Sequence, residues 1–205
     1  IRLYDKNFME RFIKKLEDNY DLSNAYFTNN LYKYTASEEE ECKSLLKYIL
    51  LEEIIDQILE QSNILAKDMK LVILDSNDRR IEYVLEVLIS KLNYLTIITN
   101  REAYFADFIE AVYESNGLVV ETIKPPLKET IDGNIIIDMD RNCGRNYSFY
   151  HENSIILDLE STLEKRQYLY ARRKRLKLIY DVKLTSRGEK VDSVKFATFL
   201  SSQYW

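Results

Sequence analysis

The sequence predicts an α/β protein, a doubly wound and mainly parallel sheet preceded by a helical N-terminal region, and three observations predict it. From residue 67 onward, five apolar runs of strand length recur: "LVILD" (71–75), "YLTIIT" (94–99), "LVVETI" (118–123), "NIIID" (134–138) and "SIILD" (154–158). Runs apolar on both faces suit strands covered on both sides by other layers, as in parallel sheets. Helical stripes separate the first three runs, giving strand, helix, strand, helix, strand with short connections. Finally, the chain holds only four glycines and two prolines in 205 residues, so little of it is expected to be irregular.

Residues 1–66 read as helical. Phe8, Phe12, Ile13 and Leu16 recur at helical spacing, and polar, turn-forming residues interrupt the pattern from Ser23 to Ser37. The stretch 37–63 predicts one helix. Ser37 and Glu40 have the spacing of a capping box, and the glutamates that follow sit at the positive end of the helix dipole. Leu46, Ile49, Leu50, Ile54, Ile58 and Leu59 supply its apolar face. In the second region, residues 67–205, the first helical stripe is Ile81, Val84, Leu85, Leu88 and Leu92. The second is Phe105, Phe108, Ile109 and Val112, running from a cap at Asn100 to a stop at Gly117. The tail predicts a helix over "STLEKRQYLYARRKRL", one strand over "KLIYDVKLT", a turn at "SRGEK" and a closing helix over "SVKFATFLSSQYW".

Composition narrows the function classes. A formal net charge of -5 argues against nucleic-acid binding over the whole surface and leaves room for a local basic patch. The 16 tyrosines, with much Ile, Lys and Asn, fit the codon bias of an AT-rich genome, with a bacterial source expected. Cys42 and Cys143 lie far apart, and His151 is the single histidine, too few ligands for an ordinary zinc site. No run approaches the ~18 apolar residues of a membrane span, and no secretory leader is seen, so a reducing, cytoplasmic location is expected.

The turn after the first strand carries the functional question. "LVILDSNDRRIEYVLEVL" followed by "LTIITNREAYFADFIEAVYESNGLVV" resembles the cofactor-binding domain of the shikimate dehydrogenase and glutamyl-tRNA reductase group. Asn100, Arg101, Ala103 and Gly117 stand where that family has an Asn-Arg pair, a helical alanine and a glycine. "LIYDVKLT" is similar to its tyrosine-containing segment. The resemblance covers just under half of the chain. It implies a Rossmann-like dinucleotide-binding fold and NADP as cofactor, with Arg101 meeting the 2′-phosphate. The family's glycine-rich turn aligns with Asp75, Asn77 and Arg80, and there the sequence departs from it. Asn77 tolerates a left-handed backbone. Asp75 and Asp78 bring negative charge toward a pyrophosphate, at about 4 kcal/mol per pair at ~4 Å and an effective dielectric near 20. A helix N-terminus returns only ~0.3–1 kcal/mol. Arg80 offsets part of this charge but sits where close packing favours glycine or alanine. The catalytic Lys-Asp pair expected of a reductase of this group is not evident.

Other constellations are weaker. Asp75, Asp138, Asp140, Asp158 and Glu160 gather at the carboxyl ends of strands, where Asp75, Asp138 and Asp158 would hold Mg²⁺ in a phosphatase or nuclease; aspartates also end strands because they favour turns. Residues 164–177 carry seven basic side chains against one acid: Lys165, Arg166, Arg172, Arg173, Lys174, Arg175 and Lys177. With Tyr168 and Tyr170 interleaved they suit an anion or nucleic-acid contact, or more simply a solvated helix face. "RNCGRN" (141–146) is an ordinary loop or an anion pocket, and Cys143 with His151 makes a nucleophile pair only if the two meet in space. The sequence therefore points to a non-enzymatic binding, regulatory or assembly protein on a degenerate dinucleotide fold, with a protein partner or a second copy as its ligand. The alternatives are an NADP-dependent oxidoreductase with an atypical turn and the Mg²⁺-dependent hydrolase.

Overall fold

In a computed structural model of the chain, the residues described are 36–142, 145–172, 177–182, 184–186 and 189–191, with the side chains of 36–42, 145–146, 170, 172 and the last two groups left aside. The helix expected within 6–20 and the closing helix lie outside them. The chain divides into two compact units, Ile55–Tyr180 and the combination of Ile1–Ile54 with Asp181–Trp205.

The first unit contains a six-stranded sheet: β1 (Leu71–Leu74), β2 (Tyr94–Ile98), β3 (Val119–Ile123), β4 (Ile135–Asp138), β5 (Ile155–Asp158) and β6 (Lys177–Ile179). All pairs are parallel and the order is β3-β2-β1-β4-β5-β6. This is the Rossmann order, reversing between β1 and β4, and it makes the domain Rossmann-like. β1, β4 and β5 are buried at every position, as their uninterrupted apolar runs require.

Alternation along the strands sorts the core into two faces. On one, Val72, Leu74, Ile98, Ile136 and Ile156 pack with Leu127, Ile131, Tyr147, Tyr150 and Leu169. Right-handed crossovers put α3 (Arg80–Leu88) and α4 (Ala106–Asn116) on the other. There Ile81, Val84, Leu85, Leu88 and Val112 are buried. Gly117 ends α4 with a φ of 67°, its N–H bonded to the Tyr113 carbonyl at 2.9 Å, a left-handed cap that glycine adopts without strain. The other end differs from expectation. Asn100 does not cap α4, because a 3₁₀ turn over Glu102–Phe105 intervenes before the helix opens at Ala106.

The crossovers on the first face are mostly irregular. Residues 124–134 link β3 to β4 without a helix, and the β4–β5 link holds only a 3₁₀ turn at Arg145–Phe149. α5 (Leu163–Arg172) follows β5. It begins the basic stretch, and there the solvated-face expectation fails in part, since Lys165 is fully buried four residues before buried Leu169. The tail strand is also two. β6 ends at Ile179 on the sheet, and β7 (Leu184–Ser186) pairs antiparallel with β8 (Glu189–Val191) in a separate hairpin, because the two halves of that apolar run have different partners.

In the second unit, α1 (Ala36–Ile49) precedes α2 (Leu51–Ser62), which runs on into the first unit. The expected single helix is broken only at Leu50, across which i→i−4 bonding continues: Leu50 N–H to Leu46 O at 3.0 Å and Ile54 N–H to Leu50 O at 2.9 Å.

Candidate functional site

The carboxyl edge of the sheet, where open α/β sheets bind ligands, holds two clusters of charge. The first surrounds the turn between β1 and α3. Asp75 is buried one residue beyond β1, its N–H still bonded to the Ile98 carbonyl. Its carboxylate accepts from Thr99 Oγ1 at 2.7 Å, from Arg101 Nε and Nη2 at 2.8 and 2.9 Å, and from the Asn77 N–H at 2.9 Å. Asn77 has a φ of 62°, the left-handed conformation a glycine-free turn needs. Arg101 also donates to the Asp78 carbonyl at 2.5 Å, and its guanidinium lies 4.1 Å from the centre of the Tyr104 ring.

Asp78 accepts from the Arg80 N–H at 2.8 Å and from Nε at 2.9 Å, so a carboxylate already occupies an N-terminal amide of α3. Burial pushes the Asp78 carboxyl up, and the side-chain and backbone hydrogen bonds from Arg80 more than reverse it, leaving its pKa lowered. Arg80 reaches further, to Glu160 beyond β5, and Arg141 Nε donates to the same buried carboxylate at 2.9 Å.

The second cluster lies on the opposite face. Asp138 and Asp158 end adjacent strands in register, and Lys165 of α5 inserts its ammonium between them. Nζ lies 2.7 Å from Asp158 Oδ1, 3.0 Å from Asp138 Oδ2 and 2.5 Å from the Asp140 carbonyl, which uses all three of its hydrogens. Tyr147 donates to Asp138 Oδ2, and the Asp140 N–H to Asp138 Oδ1 at 3.0 Å. Burial, with the Asp158 charge adding, pushes the Asp138 carboxyl up to about 6 against the pull of Lys165. Burial lowers the Lys165 pKa, but the two aspartates outweigh it and raise it above the ordinary value. With all three hydrogens engaged, the ammonium ties the ends of β4 and β5 to the Asp140 backbone.

The expected residues therefore separate. Asp75, Asn77, Arg80 and Arg101 do meet around one turn, engaged with one another and their neighbours, while Asn100 is exposed. Asp138 and Asp158 meet without Asp75. The register pairs Leu74 with Asp138, so Asp75 is one residue further along and faces the other side of the sheet. Among the described residues no three His, Cys, Asp or Glu side chains are arranged to hold a metal ion. Cys143 and Gly144 lie outside the described residues; His151 is exposed, its Nδ1 accepting from the Asn153 N–H at 3.3 Å. Of the other basic residues, Arg166 stacks 5.2 Å from the Tyr180 ring centre, and 173–176 are outside the described residues. Sequence reasoning missed the roles of Lys165, Thr99 and Tyr147. Only Lys165 left a signal, its i, i+4 spacing to Leu169 on a core-facing stripe.

Among the described residues no helix is long and apolar enough to cross a membrane. No protein-family model matches the sequence. No curated protein sequence matches it. Among solved structures, the fold is similar to the ligand-free form of 5-ketofructose reductase of Gluconobacter sp. strain CHM43, at 13% identity and a TM-score of 0.43 over 78% of this chain and 63% of that one. It is also similar to a shikimate 5-dehydrogenase-like protein, at 15% identity and a TM-score of 0.41 over 65% of this chain and 49% of that one. The chain thus spans less than two thirds of the length of either protein.

Proposed function

We propose that the protein is a non-enzymatic binding, regulatory or assembly protein, built on a Rossmann-like fold whose dinucleotide edge is closed by its own side chains. The observation that carries this reading is the occupation of the first turn. In a dinucleotide site the turn amides and the helix N-terminus face a pyrophosphate; here the Asn77 and Arg80 amides are given to the Asp75 and Asp78 carboxylates. Arg101, the residue that would meet a 2′-phosphate, would first have to leave a buried Asp75. Mg²⁺ bound by Asp138 and Asp158 would have to displace the Lys165 ammonium.

Thermal-shift titration with NAD, NADP and their reduced forms tests the reading. A ligand at 100 times its Kd stabilises the folded state by about 2.7 kcal/mol, a shift too large to miss. The expected result is no saturable stabilisation by any of the four. A saturable rise at micromolar concentrations of one of them overturns the proposal.

A further inference from the structure

The solvent sides of α3 and α4 carry one sign of charge. Glu82, Glu86, Glu102, Asp107, Glu110 and Glu114 are all exposed, and no lysine or arginine occurs between Glu102 and Ile123. Tyr104, exposed in the turn before α4, donates its hydroxyl to Glu82 of α3, which makes the two surfaces continuous. Tyr83 and Tyr113 stand exposed on the same two helices. This arrangement works against the helices that carry it. Glu82 and Glu86, and Glu110 and Glu114, are like charges at i, i+4, which repel. Neither helix has a base in its last turn, so Glu86 and Glu114 lie at the negative end of the dipole with nothing of opposite sign beside them in that turn.

The opposite sign is collected elsewhere. Between Glu164 and Asp181 there is no acid, and five of the six residues 172–177 are basic: Arg172, Arg173, Lys174, Arg175 and Lys177. That run joins the end of α5 to the start of β6. The sheet order keeps the two patches apart. α4 returns the chain to β3 at one edge, the basic run enters β6 at the other, and five strand spacings between them make about 24 Å. The acidic helices also cover the face opposite α5, whose Leu169 packs in the first core. One chain therefore cannot neutralise its own patches.

We propose that the acidic α3–α4 surface docks the basic 172–177 run of a second copy, so that the protein self-associates head to tail. The chain itself supplies both complementary surfaces. A run of arginines suits exposed tyrosines as well as carboxylates, because a guanidinium is attracted to an aromatic face, and Tyr and Arg are enriched at protein interfaces. Docking relieves the repulsion within α3 and α4. Because two different surfaces meet, each copy keeps one of each free, and copies add until a ring closes or a filament grows. Self-association supplies the partner for the assembly role in the functional reading and rests on that reading. Nucleotide titration tests the closed turn alone, so a failure there is distinguishable from a failure here.

Sedimentation equilibrium of the full chain tests this at low salt and at about 0.5 M salt, where the Debye length falls to roughly 4 Å. At low salt the weight-average mass should rise with concentration above that of one chain, and high salt should weaken association at least about tenfold. Glu110→Lys with Glu114→Lys should lose the association, as should Arg173→Glu with Lys174→Glu and Arg175→Glu, each with an unchanged circular-dichroism spectrum. Mixed in equal amounts, the two variants should associate again, since the first keeps the basic run and the second keeps the acidic face. No association of the wild type at low salt, association that either variant leaves intact, or a mixture that stays monomeric would each overturn the proposal.

Discussion

The ends of β1 and β2 and the ends of β4 and β5 carry the same chemistry, carboxylates against cations, yet water reaches them differently. Around the first turn the Asp75 and Glu160 carboxylates are buried, but water reaches their cations: the Arg101, Arg80 and Arg141 side chains are 23%, 40% and 57% exposed. In the second cluster Lys165, Asp138 and Asp158 are all at 0%. The consequence is opposite shifts. Asp78, half-buried but held by Arg80, is driven below the ordinary carboxylate value, and Asp138, fully buried, is driven above it against the pull of Lys165. In both, burial raises the carboxyl and a cation lowers it, and the balance of the two sets the direction. The variants and conditions that follow should separate the two clusters, beginning with the largest effect.

Replacing Lys165 by methionine leaves two carboxylates buried side by side with no counter-charge. Breaking a buried pair from one side costs about 3–5 kcal/mol, so denaturant midpoints should show that much destabilisation. Adding Asp138→Asn and Asp158→Asn should recover most of it, since an uncharged replacement of a buried ionic group is often neutral. A loss within the error of the midpoints in Lys165→Met alone would mean that the aspartates take up protons at little cost, so that the ammonium is not what neutralises them.

The pH dependence has a definite sign. Asp138 is raised from 3.8 to about 6, so the folded protein holds its proton more tightly than the unfolded chain does. The resulting stabilisation is complete below about pH 3.8 and is lost as pH rises through about 6, by up to about 3 kcal/mol. Asp78 runs the other way: its contribution is present above pH 3.8 and is lost as pH falls through its lowered value. Unfolding free energies of wild type and Asp138→Asn between pH 4 and 6 isolate the first effect. The difference between them should slope downward for the wild type; an upward slope would show that Lys165 wins over burial.

These clusters also mark where the sequence stopped being readable. The five apolar runs and the stripes of Ile81, Val84, Leu85 and Leu88 depend on local periodicity, and they placed β1 to β5 and α3 correctly. The left-handed turn was foreshadowed by Asn77, one of the few residues that accept it. Pairings across the fold were not visible. Arg101 and Asp75 are 26 residues apart, and whether an arginine faces outward to a ligand or inward to an aspartate depends on packing that no spacing encodes. Lys165 was hidden by its own neighbourhood, a basic run that reads as solvated until Leu169 shows which side of α5 is down. The split of the tail into β6 and β7 was hidden as well, since one apolar run cannot announce a change of partner.

The Arg101→Ala variant tests the less buried cluster at its inner end. It removes two charged hydrogen bonds from Asp75 and leaves that carboxylate with Thr99 and the Asn77 amide. Hydrogen bonds to charged groups are worth about 1.5–3 kcal/mol, which sets the expected loss in urea unfolding. A negligible loss would return Arg101 to the role of a cation waiting for an anion.

Asp78→Ala should have the smallest effect, for reasons that bear on how the turn works. Asp78 caps an amide at the start of α3 and holds Arg80, and capping side chains are worth about 1 kcal/mol. Arg80 keeps Glu160 as a partner when Asp78 is gone, so the ion-pair loss is partial. The substitution also uncovers a helix N-terminal amide, where an anion is favoured by about 0.3–1 kcal/mol. Inorganic phosphate should therefore stabilise Asp78→Ala slightly more than the wild type in parallel melting curves. If both respond alike, the carboxylate was never what kept an anion out, and the closure of this edge rests on Asp75 and Arg101 instead.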